Sequence, residues 1–499
     1  MFRQARLDPL IVGVLGAAVS MGGSSRPSFW YDEAATISAS YSRSLGQLWH
    51  MLGSVDAVQG LYYVLMHGWF MVFPPTEFWS RAPSGLAVGA AAAGVVVLGR
   101  QFSSRTVAVS AGVVCAILPR ATWAGIEARP YALSMMAAVW LTVLLVHAVR
   151  RDNAWAWLFY GVVLVLSIVL DVYLVLLLLA HLIFICAARR TRVFVRFAVT
   201  SVLAACVLTP FVIEAASQAH QISWIAPIGR RTIEDVAVQQ YFERSPPFAV
   251  LSALVVVAAV ASWLCTSARL AEGDRRLLVL ATSWLVAPTV VIVAWSALVH
   301  PVYTPRYLCF TAPAMALVLG VCIAALAVRQ GIAPVLLVLF ATAAIPNYLF
   351  AQRTAYAKYG MDYSQVADLI TAKAAPGDCL LVNDTVTFQP APMRPLIAAR
   401  PDAYRKLVDL TLWQRATDRN TVFDTNLIPE AVAEPLSHCK VVWIITEADK
   451  SQPAHETASN LAPGPKFGAT PAFSVPNGLG FRLVERWQFN LVQVIKATK

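Results

Sequence analysis

The sequence predicts a polytopic α-helical membrane protein with a small α/β domain at its carboxy-terminal end. Three observations carry that prediction. Hydrophobic residues make up 58% of the 499 and charged ones only 13%, against about 25% charged in a soluble domain, and mean hydropathy is +0.61. Apolar runs close to the roughly twenty residues that cross a bilayer recur between residues 8 and 349. Residues 351–499 contain no such run. Together these exclude a disordered chain, a fibrous repeat and a single-span receptor. They leave a transporter, a channel, or an enzyme acting on lipidic material at the membrane.

Taken in order, the candidate spans are 8–24, 83–100, 106–120, 131–150, 154–170, 172–188, 194–215, 247–267, 277–299, 307–328 and 331–349. One further apolar stretch, 59–74, is decided by charge, because loops rich in Lys and Arg stay in the cytoplasm. Arg100 with Arg105, Arg150 with Arg151, the run Arg189, Arg190, Arg192 and Arg196, then Arg269 with Arg275 and Arg276, and finally Arg329 mark alternate loops. If 59–74 spanned, these clusters or the amino-terminal Arg3 and Arg6 would fall on the wrong side. The expectation is therefore about eleven spans, with the amino terminus inside and the carboxy terminus outside. Segment 59–74 becomes an amphipathic or re-entrant helix in a long first outer loop, residues 25–82.

The net charge of +11 then divides by topology. The amino terminus and cytoplasmic loops carry fourteen Arg or Lys against four Asp or Glu, the outer loops nine against ten, and the tail sixteen against fourteen. Nearly all the excess reports orientation in a membrane, so the pI near 9.4 does not point to nucleic acid, and no basic-aromatic motif does. The first apolar segment is read as an uncleaved span rather than a signal peptide.

Residues 1–350 thus form a transmembrane domain and 351–499 an extracytoplasmic one. In the latter, a helix is expected at about 362–373, a strand at 379–382, helical stretches around 402–416 and 427–435, and a strand at 440–446. The closing FRLVERWQFNLVQVI, near 480–495, alternates at period two on either side of its centre. Loops such as PAPMRP and LAPGPKFG punctuate the domain. Neither a Walker loop nor GxGxxG is present, so nucleotide binding is unsupported. Six of the eight cysteines fall in apolar spans and read as small packing residues. Cys379 and Cys439 each open a strand in an oxidising compartment and could form a disulfide, although nothing in the sequence sets their distance. No spacing resembles a zinc site.

Candidate functional residues collect in the outer loops, where charges at a membrane boundary are costly and tend to mark work. The first loop holds SFWYDEAAT, with Asp32 and Glu33, then VDAVQGLYYVLMHGWF, with Asp56, Gln59, Tyr62, Tyr63 and His67. The second holds WAGIEARPYAL, with Glu127, Arg129 and Tyr131. Asp171 and Tyr173 lie between the fifth and sixth spans. QAHQISWIAP lies in the fourth outer loop, and HPVYTPRYL supplies Tyr303, Arg306 and Tyr307. Each also has a plain structural reading. Asp32 and Glu33 suit the start of a helix at Ala34, Glu127 and Arg129 an ion pair between loops, and Arg306 a snorkelling anchor. The Tyr and Trp residues suit an interfacial belt, and His67 and His181 the packed core.

The acidic pair Asp32-Glu33 after the first span, the D-x-x-x-G-L-Y-Y segment at Asp56, the R-x-P-S start at Arg81 to Ser84, the E-x-R-P-Y loop at Glu127 and the late Arg306-Tyr307 pair together resemble the GT-C glycosyltransferase superfamily. The combination is similar to protein O-mannosyltransferases and lipid A aminoarabinose transferases. DAVQGLYYVLMHGW is most similar to mycobacterial-type mannosyltransferases that use polyprenyl-phosphate mannose. Many relatives have His-Pro-Pro-Leu where this chain has Val58-Gln59-Gly60-Leu61, and some have His-Tyr where it has Asp171-Val172-Tyr173.

The resemblance implies a polyprenyl-phosphate-sugar donor, no metal, and an active site on the outer face of the cytoplasmic membrane. The chemistry can be argued beside it. A phosphate on the anomeric carbon leaves without a general acid, so the reaction needs a base for the acceptor hydroxyl and cationic groups for the departing phosphate. Asp32, matching the family's first acidic position, is the expected base. Arg306 is the expected phosphate partner, with Arg129 second, because a guanidinium offers bidentate donors and keeps its charge. Glu33, Asp56, Gln59, Tyr62, Glu127, Tyr131, Asp171 and Tyr303 are expected to bind substrate, and Trp30, Tyr62 and Tyr63 to offer ring platforms. Oxygen ligands from Asp32, Glu33, Asp56 and Asp171 are the alternative of a divalent metal, which is not favoured.

The expected function is an inverting glycosyltransferase, a mannosyltransferase, acting on an envelope glycan, lipid or protein. An arabinosyl or other pentosyl donor is the nearest variant. A transporter or flippase for a lipid-linked sugar is the alternative from another class. Such folds show internal symmetry and charges near the bilayer midplane, whereas here the ionisable groups gather at one face.

Overall fold

The computed structural model describes residues 2–266, 270–327, 329, 331–383 and 393–499. Arg269 and the first three residues of the PAPMRP loop lie outside them, as do the side chains of Arg3 and Arg6. The chain divides into two compact units. The first comprises Met1–Ser24, Asp56–Tyr62 and Ser80–Gln352, and the second Ser25–Val55, Tyr63–Trp79 and Arg353–Lys499.

The first unit is helical. Among the described residues, seven helices are long and apolar enough to cross a membrane: Glu77–Phe102, Tyr131–Arg151, Thr191–Ser217, Pro246–Cys265, Glu272–Leu298, Pro305–Leu326 and Ile332–Gln352. Four shorter apolar helices, Leu7–Met21, Arg105–Ile117, Ala154–Leu170 and Val172–Ala187, lie where the remaining apolar runs were read. The helix at Gly60–Phe70 has 11 residues, about 16 Å at ~1.5 Å per residue, too short for a ~30 Å hydrocarbon core.

The apolar faces sort the helices into inner and outer ones. The central windows of 77–102, 131–151 and 305–326 are 72%, 67% and 78% buried, those of 191–217, 246–265 and 332–352 only 17%, 22% and 22%. The outer helices therefore leave many Val, Leu and Ile side chains exposed. Among the inner contacts, helix 105–117 packs closely on Ala312–Leu326. Gly320 makes this possible, since a Cβ there would meet the Ala111 Cβ at 2.6 Å. Gly13, Ala17, Gly89 and Ala93 bring helix 2–21 against helix 77–102 in the same way, and a Cβ on Gly89 would lie 2.5 Å from the Gly13 carbonyl. Small residues at four-residue spacing allow such backbone approach in membranes.

One end of this unit is tied by ion pairs. Asp8 accepts from Arg105 Nε at 2.7 Å and Nη2 at 2.8 Å, and also from Arg100. Arg150 donates to the Gln101 carbonyl, Asp152 accepts from Arg196 at 2.7 Å, and Ser103 bonds Asp274. The helix starts and ends carrying these groups thereby interlock.

The second unit is α/β. Its main sheet contains six strands: β1 (Cys379–Val382), β2 (Val408–Asp409), β5 (Val441–Glu447), β6 (His455–Thr457), β7 (Arg482–Gln488) and β8 (Val492–Thr498), in the order β2-β1-β5-β8-β7-β6. Strand β1 runs parallel to β2 and β5, and all other pairs are antiparallel. A separate pair joins β3 (Leu412–Gln414) to β4 (Thr425–Asn426). Leu381, Val442, Ile444, Leu483, Ile495 and Ala497 form one core with Val432, Leu436, Phe467 and Phe481. The alternate residues Leu380, Val382, Trp443, Ile445 and Val494 are buried as well, so both faces of the sheet are covered. Cys379 and Cys439 are disulfide-bonded, with Cα atoms 6.2 Å apart.

Two local expectations are corrected. The segment 402–416 is not a helix: after Pro401–Tyr404 it supplies β2 and β3. The pattern Leu407-Val408-Asp409-Leu410-Thr411-Leu412 fits a pleated edge, and pairing with β1 satisfies its backbone where an isolated helical turn would not. The helix carrying the acidic pair begins at Tyr31, not Ala34, with Trp30 as its extended N-cap. Asp32 and Glu33 lie inside its first turn, where carboxylates complement the helix dipole.

Candidate functional site

The sequence-predicted residues fall on both units. In the first, Ser84 of the R-x-P-S start donates to the Glu127 carbonyl at 2.6 Å, and Arg81 donates to the Ser24 carbonyl at 2.7 Å. These bonds seat the turn at 125–130, in which Glu127 is fully buried and Arg129 nearly so. Helix 131–151 begins there.

From its first turn, Tyr131 starts a row of rings. Its centroid is 5.7 Å from Trp123 and 6.4 Å from Tyr307, and Tyr307 is 5.1 Å from Tyr173. The Arg306 guanidinium lies over Trp224 at 5.1 Å and over Tyr307 at 5.7 Å. A ring engages the face of a guanidinium, whereas anion recognition uses its edge.

Asp171 sits where helix Ala154–Leu170 ends. It accepts from Ser134, one helical turn after Tyr131, at 2.7 Å and from the Tyr173 N–H at 3.0 Å. Burial pushes the Asp171 carboxyl up to about 6, opposed by these two bonds. Tyr173 donates through its hydroxyl to the Val302 carbonyl at 3.0 Å, and Tyr303 donates to Gln240 Oε1 at 3.2 Å. Arg306, Tyr131 and Asp171 are thus linked through Tyr307, Tyr173 and Ser134, while the Tyr303 hydroxyl turns to Gln240.

Asp56 and Gln59 are fixed to the same unit from another direction. Gln221 Oε1 accepts from the Asp56 N–H at 3.2 Å and Gln218 Oε1 from the Ala57 N–H at 2.9 Å. Both glutamines precede Trp224 in one loop. Asp56 has φ +59°, a left-handed conformation that Asp tolerates better than most residues. Tyr62 is fully buried.

Asp32 and Glu33 belong to the second unit. Helical geometry turns successive side chains about 100° apart, leaving Asp32 half-buried while Glu33 is fully buried. Their helix, Tyr31–Ser40, packs on Pro395–Ala399. Trp30 lies 4.5 Å from Tyr359 and Tyr31 lies 5.0 Å from Phe423, and Ser38 donates to the Val422 carbonyl at 2.6 Å. Glu77 accepts from Ser364 at 2.5 Å and pairs with Arg400 at 2.7 Å. Segments 25–55 and 63–79 of the first loop therefore fold with the tail.

Two histidines have structural surroundings. The ring of His181 is 3.1 Å from Thr142 Oγ1 and 2.9 Å from the Tyr160 hydroxyl, and His67 Nδ1 is 2.8 Å from the Ser40 carbonyl. Among the described residues, no group of three or more His, Cys, Asp or Glu is arranged to hold a metal ion.

Sequence reasoning missed Ser134, Gln240 and Arg120. Ser134 and Gln240 are uncharged, in a helix and a polar loop without distinctive spacing. Arg120 closes the apolar run 106–120, and Trp224 is one aromatic residue in a polar loop.

No protein-family model matches the chain, and no curated protein matches it. Solved structures do. The chain is similar to ArnT from Cupriavidus metallidurans. Its apo form superposes with a TM-score of 0.61 at 11% identity, covering 98% of this chain and 97% of that one. The form bound to undecaprenyl phosphate gives 0.56 at 10% identity, with the same coverage. The two chains thus share one fold along nearly their whole length.

Proposed function

We propose that the protein is an inverting glycosyltransferase that moves a sugar, mannose in the first instance, from a polyprenyl-phosphate donor to an envelope glycan, lipid or protein. The observation that carries the reading is the Arg306 guanidinium packed over Trp224 and Tyr307, with Tyr307 against Tyr131 and Tyr173. The full-length likeness to a fold solved with undecaprenyl phosphate supports it.

In this reading Asp32 takes the proton of the acceptor hydroxyl while that oxygen bonds to the anomeric carbon. The bond from that carbon to the phosphate oxygen breaks on the opposite face, and the electron pair leaves with the phosphate. Arg306, assisted by Arg129, stabilises the negative charge gathering there. Attack opposite the leaving group inverts the centre, so a β-linked donor gives an α-linked product. Glu33, Asp56, Gln59, Tyr62, Glu127, Tyr131, Asp171 and Tyr303 bind substrate, and no metal is assigned a role. The topology belonging to this reading has eleven spans, the amino terminus in the cytoplasm, and the tail and reaction on the outer face of the plasma membrane. A pentosyl donor is the second reading, favoured by the sequence resemblance to lipid A aminoarabinose transferases.

The test incubates purified protein with radiolabelled polyprenyl-phosphate mannose, or the arabinose equivalent, and envelope extract, and asks which product gains label. Asp32→Asn should lower transfer by about 10²- to 10⁴-fold, the usual contribution of a positioned base, with an unchanged melting profile. Full activity in that variant removes the base, and flipping of donor in liposomes without a new glycosidic product removes the reaction class.

A further inference from the structure

Before helix Pro246–Thr266 the chain forms a π turn at Asp235–Gln239, followed by a short turn at Gln240–Phe242. A π turn adds a residue to the helical ladder and often serves to re-aim a side chain. The side chain turned inward here is Gln240, which is fully buried. Its Nε2 lies 2.7 Å from the Tyr241 hydroxyl, 2.9 Å from Thr289 Oγ1 and 3.3 Å from Thr311 Oγ1. Each of those hydroxyls gives its own proton to a carbonyl: Tyr241 and Thr289 to Leu285, Thr311 to Leu308. All three therefore face Gln240 with lone pairs only. That fixes the amide nitrogen on their side and its oxygen on the other, where it accepts the Tyr303 hydroxyl. Burial, then nearby Asp235 and Tyr241, push that phenol well above its ordinary range, against the pull of Arg120, so it stays a donor.

The backbone that presents Gln240 is itself clamped. Arg120 donates through Nε to the Gln240 carbonyl at 3.3 Å and also to the Gln239 carbonyl, and pairs with Glu243 at 2.5 Å. Glu243 and Arg244 both have positive φ, +35° and +56°, a strained conformation for residues with side chains. Asn347 Nδ2 donating to the Glu243 carbonyl at 2.5 Å, and the Arg244 N–H donating to Gln239 Oε1 at 3.0 Å, hold it.

We infer that Gln240 is a positioning residue for Arg306, acting through Tyr303. This rests on the reading of Arg306 as the donor-phosphate partner. Residues 300–304 have no regular secondary structure. They are pinned by Ser296, which accepts the Val302 N–H at 3.1 Å, by Tyr173 on the Val302 carbonyl, and by Gln240 on Tyr303. Arg306 follows three residues later, so releasing Tyr303 lets the guanidinium move off the phosphate.

The test measures binding of undecaprenyl phosphate to the full-length protein in detergent by tryptophan fluorescence, with no acceptor or transfer required. Tyr303→Phe, which removes one hydroxyl, should weaken binding by about five- to tenfold, the worth of one buried hydrogen bond. Gln240→Glu sets a carboxylate against three sets of lone pairs and should weaken it at least as much. In an Arg306→Ala background, Tyr303→Phe should add nothing, a non-additivity that loss of local packing would not produce. Wild-type protein that binds while Tyr303→Phe binds equally well overturns the positioning role alone, as do additive effects in the Arg306→Ala background. Wild-type protein that fails to bind undecaprenyl phosphate overturns the donor reading and this inference together.

Discussion

The two ends of the helical unit hold arginine in different ways. At one end Arg100 and Arg105 converge on Asp8, and Arg196 pairs with Asp152. At the other, Arg306 lies across Trp224 and Tyr307, while Arg120 braces a backbone turn. A bidentate carboxylate occupies the guanidinium edge and locks two helices together. At the second, rings lie against the guanidinium face. The first end thus holds its arginines by charge, and the second by ring and backbone contacts.

That contrast can be broken by experiment. The largest effect is expected from Arg306→Ala: transfer should fall by about 10²- to 10³-fold, the usual loss for a group stabilising transition-state charge, while the melting temperature in detergent stays within a degree or two of the parent. A fall in melting temperature that accounts for the lost activity would make Arg306 an anchor like those at the other end. The converse change, Asp8→Asn, should cost about 2 kcal/mol of stability and leave the turnover of folded protein unchanged. The figure is below the ~3–5 kcal/mol of a fully buried pair, because the Arg105 side chain is 60% exposed and solvent screens it. Denaturant titration beside a turnover assay separates the two.

The smallest effect concerns pH. Asp171 has its carboxyl raised to about 6 by burial, so the folded state holds its proton more tightly than the unfolded one. Its contribution to stability is full below about 4 and is lost as pH rises through about 6. Asp171→Asn, which stays neutral, should flatten that decline by roughly 1 kcal/mol, discounted for partial exposure. A pH–stability curve in the variant that superposes on the parent's would show that the carboxyl is already well solvated.

The apolar runs were legible because crossing a bilayer demands about twenty residues of one character, a signal local to each segment. The acidic pair, Arg306 and Asp171 were legible because ionisable groups stand out against such a background. The edge strand at Val408 was not. Its short alternation sits among helix-forming residues, and only pairing with β1 makes it a strand. Gln240 was equally hidden: an amide in VAVQQYFERS carries no signature until Thr289, Thr311 and Tyr303, from distant parts of the chain, surround it.

Composition and periodicity by themselves determined that this chain is a membrane-spanning helical protein with a short α/β tail sequence, and where most helices lie, because hydrophobic burial depends on residue type and local spacing. The tertiary structure alone decided that segments 25–55 and 63–79 fold with the tail, that Asp32 stays half-buried while its neighbour is fully buried, and that Arg306 rests on Trp224. Those outcomes depend on contacts between residues tens to hundreds of positions apart, and no local pattern in the chain encodes them.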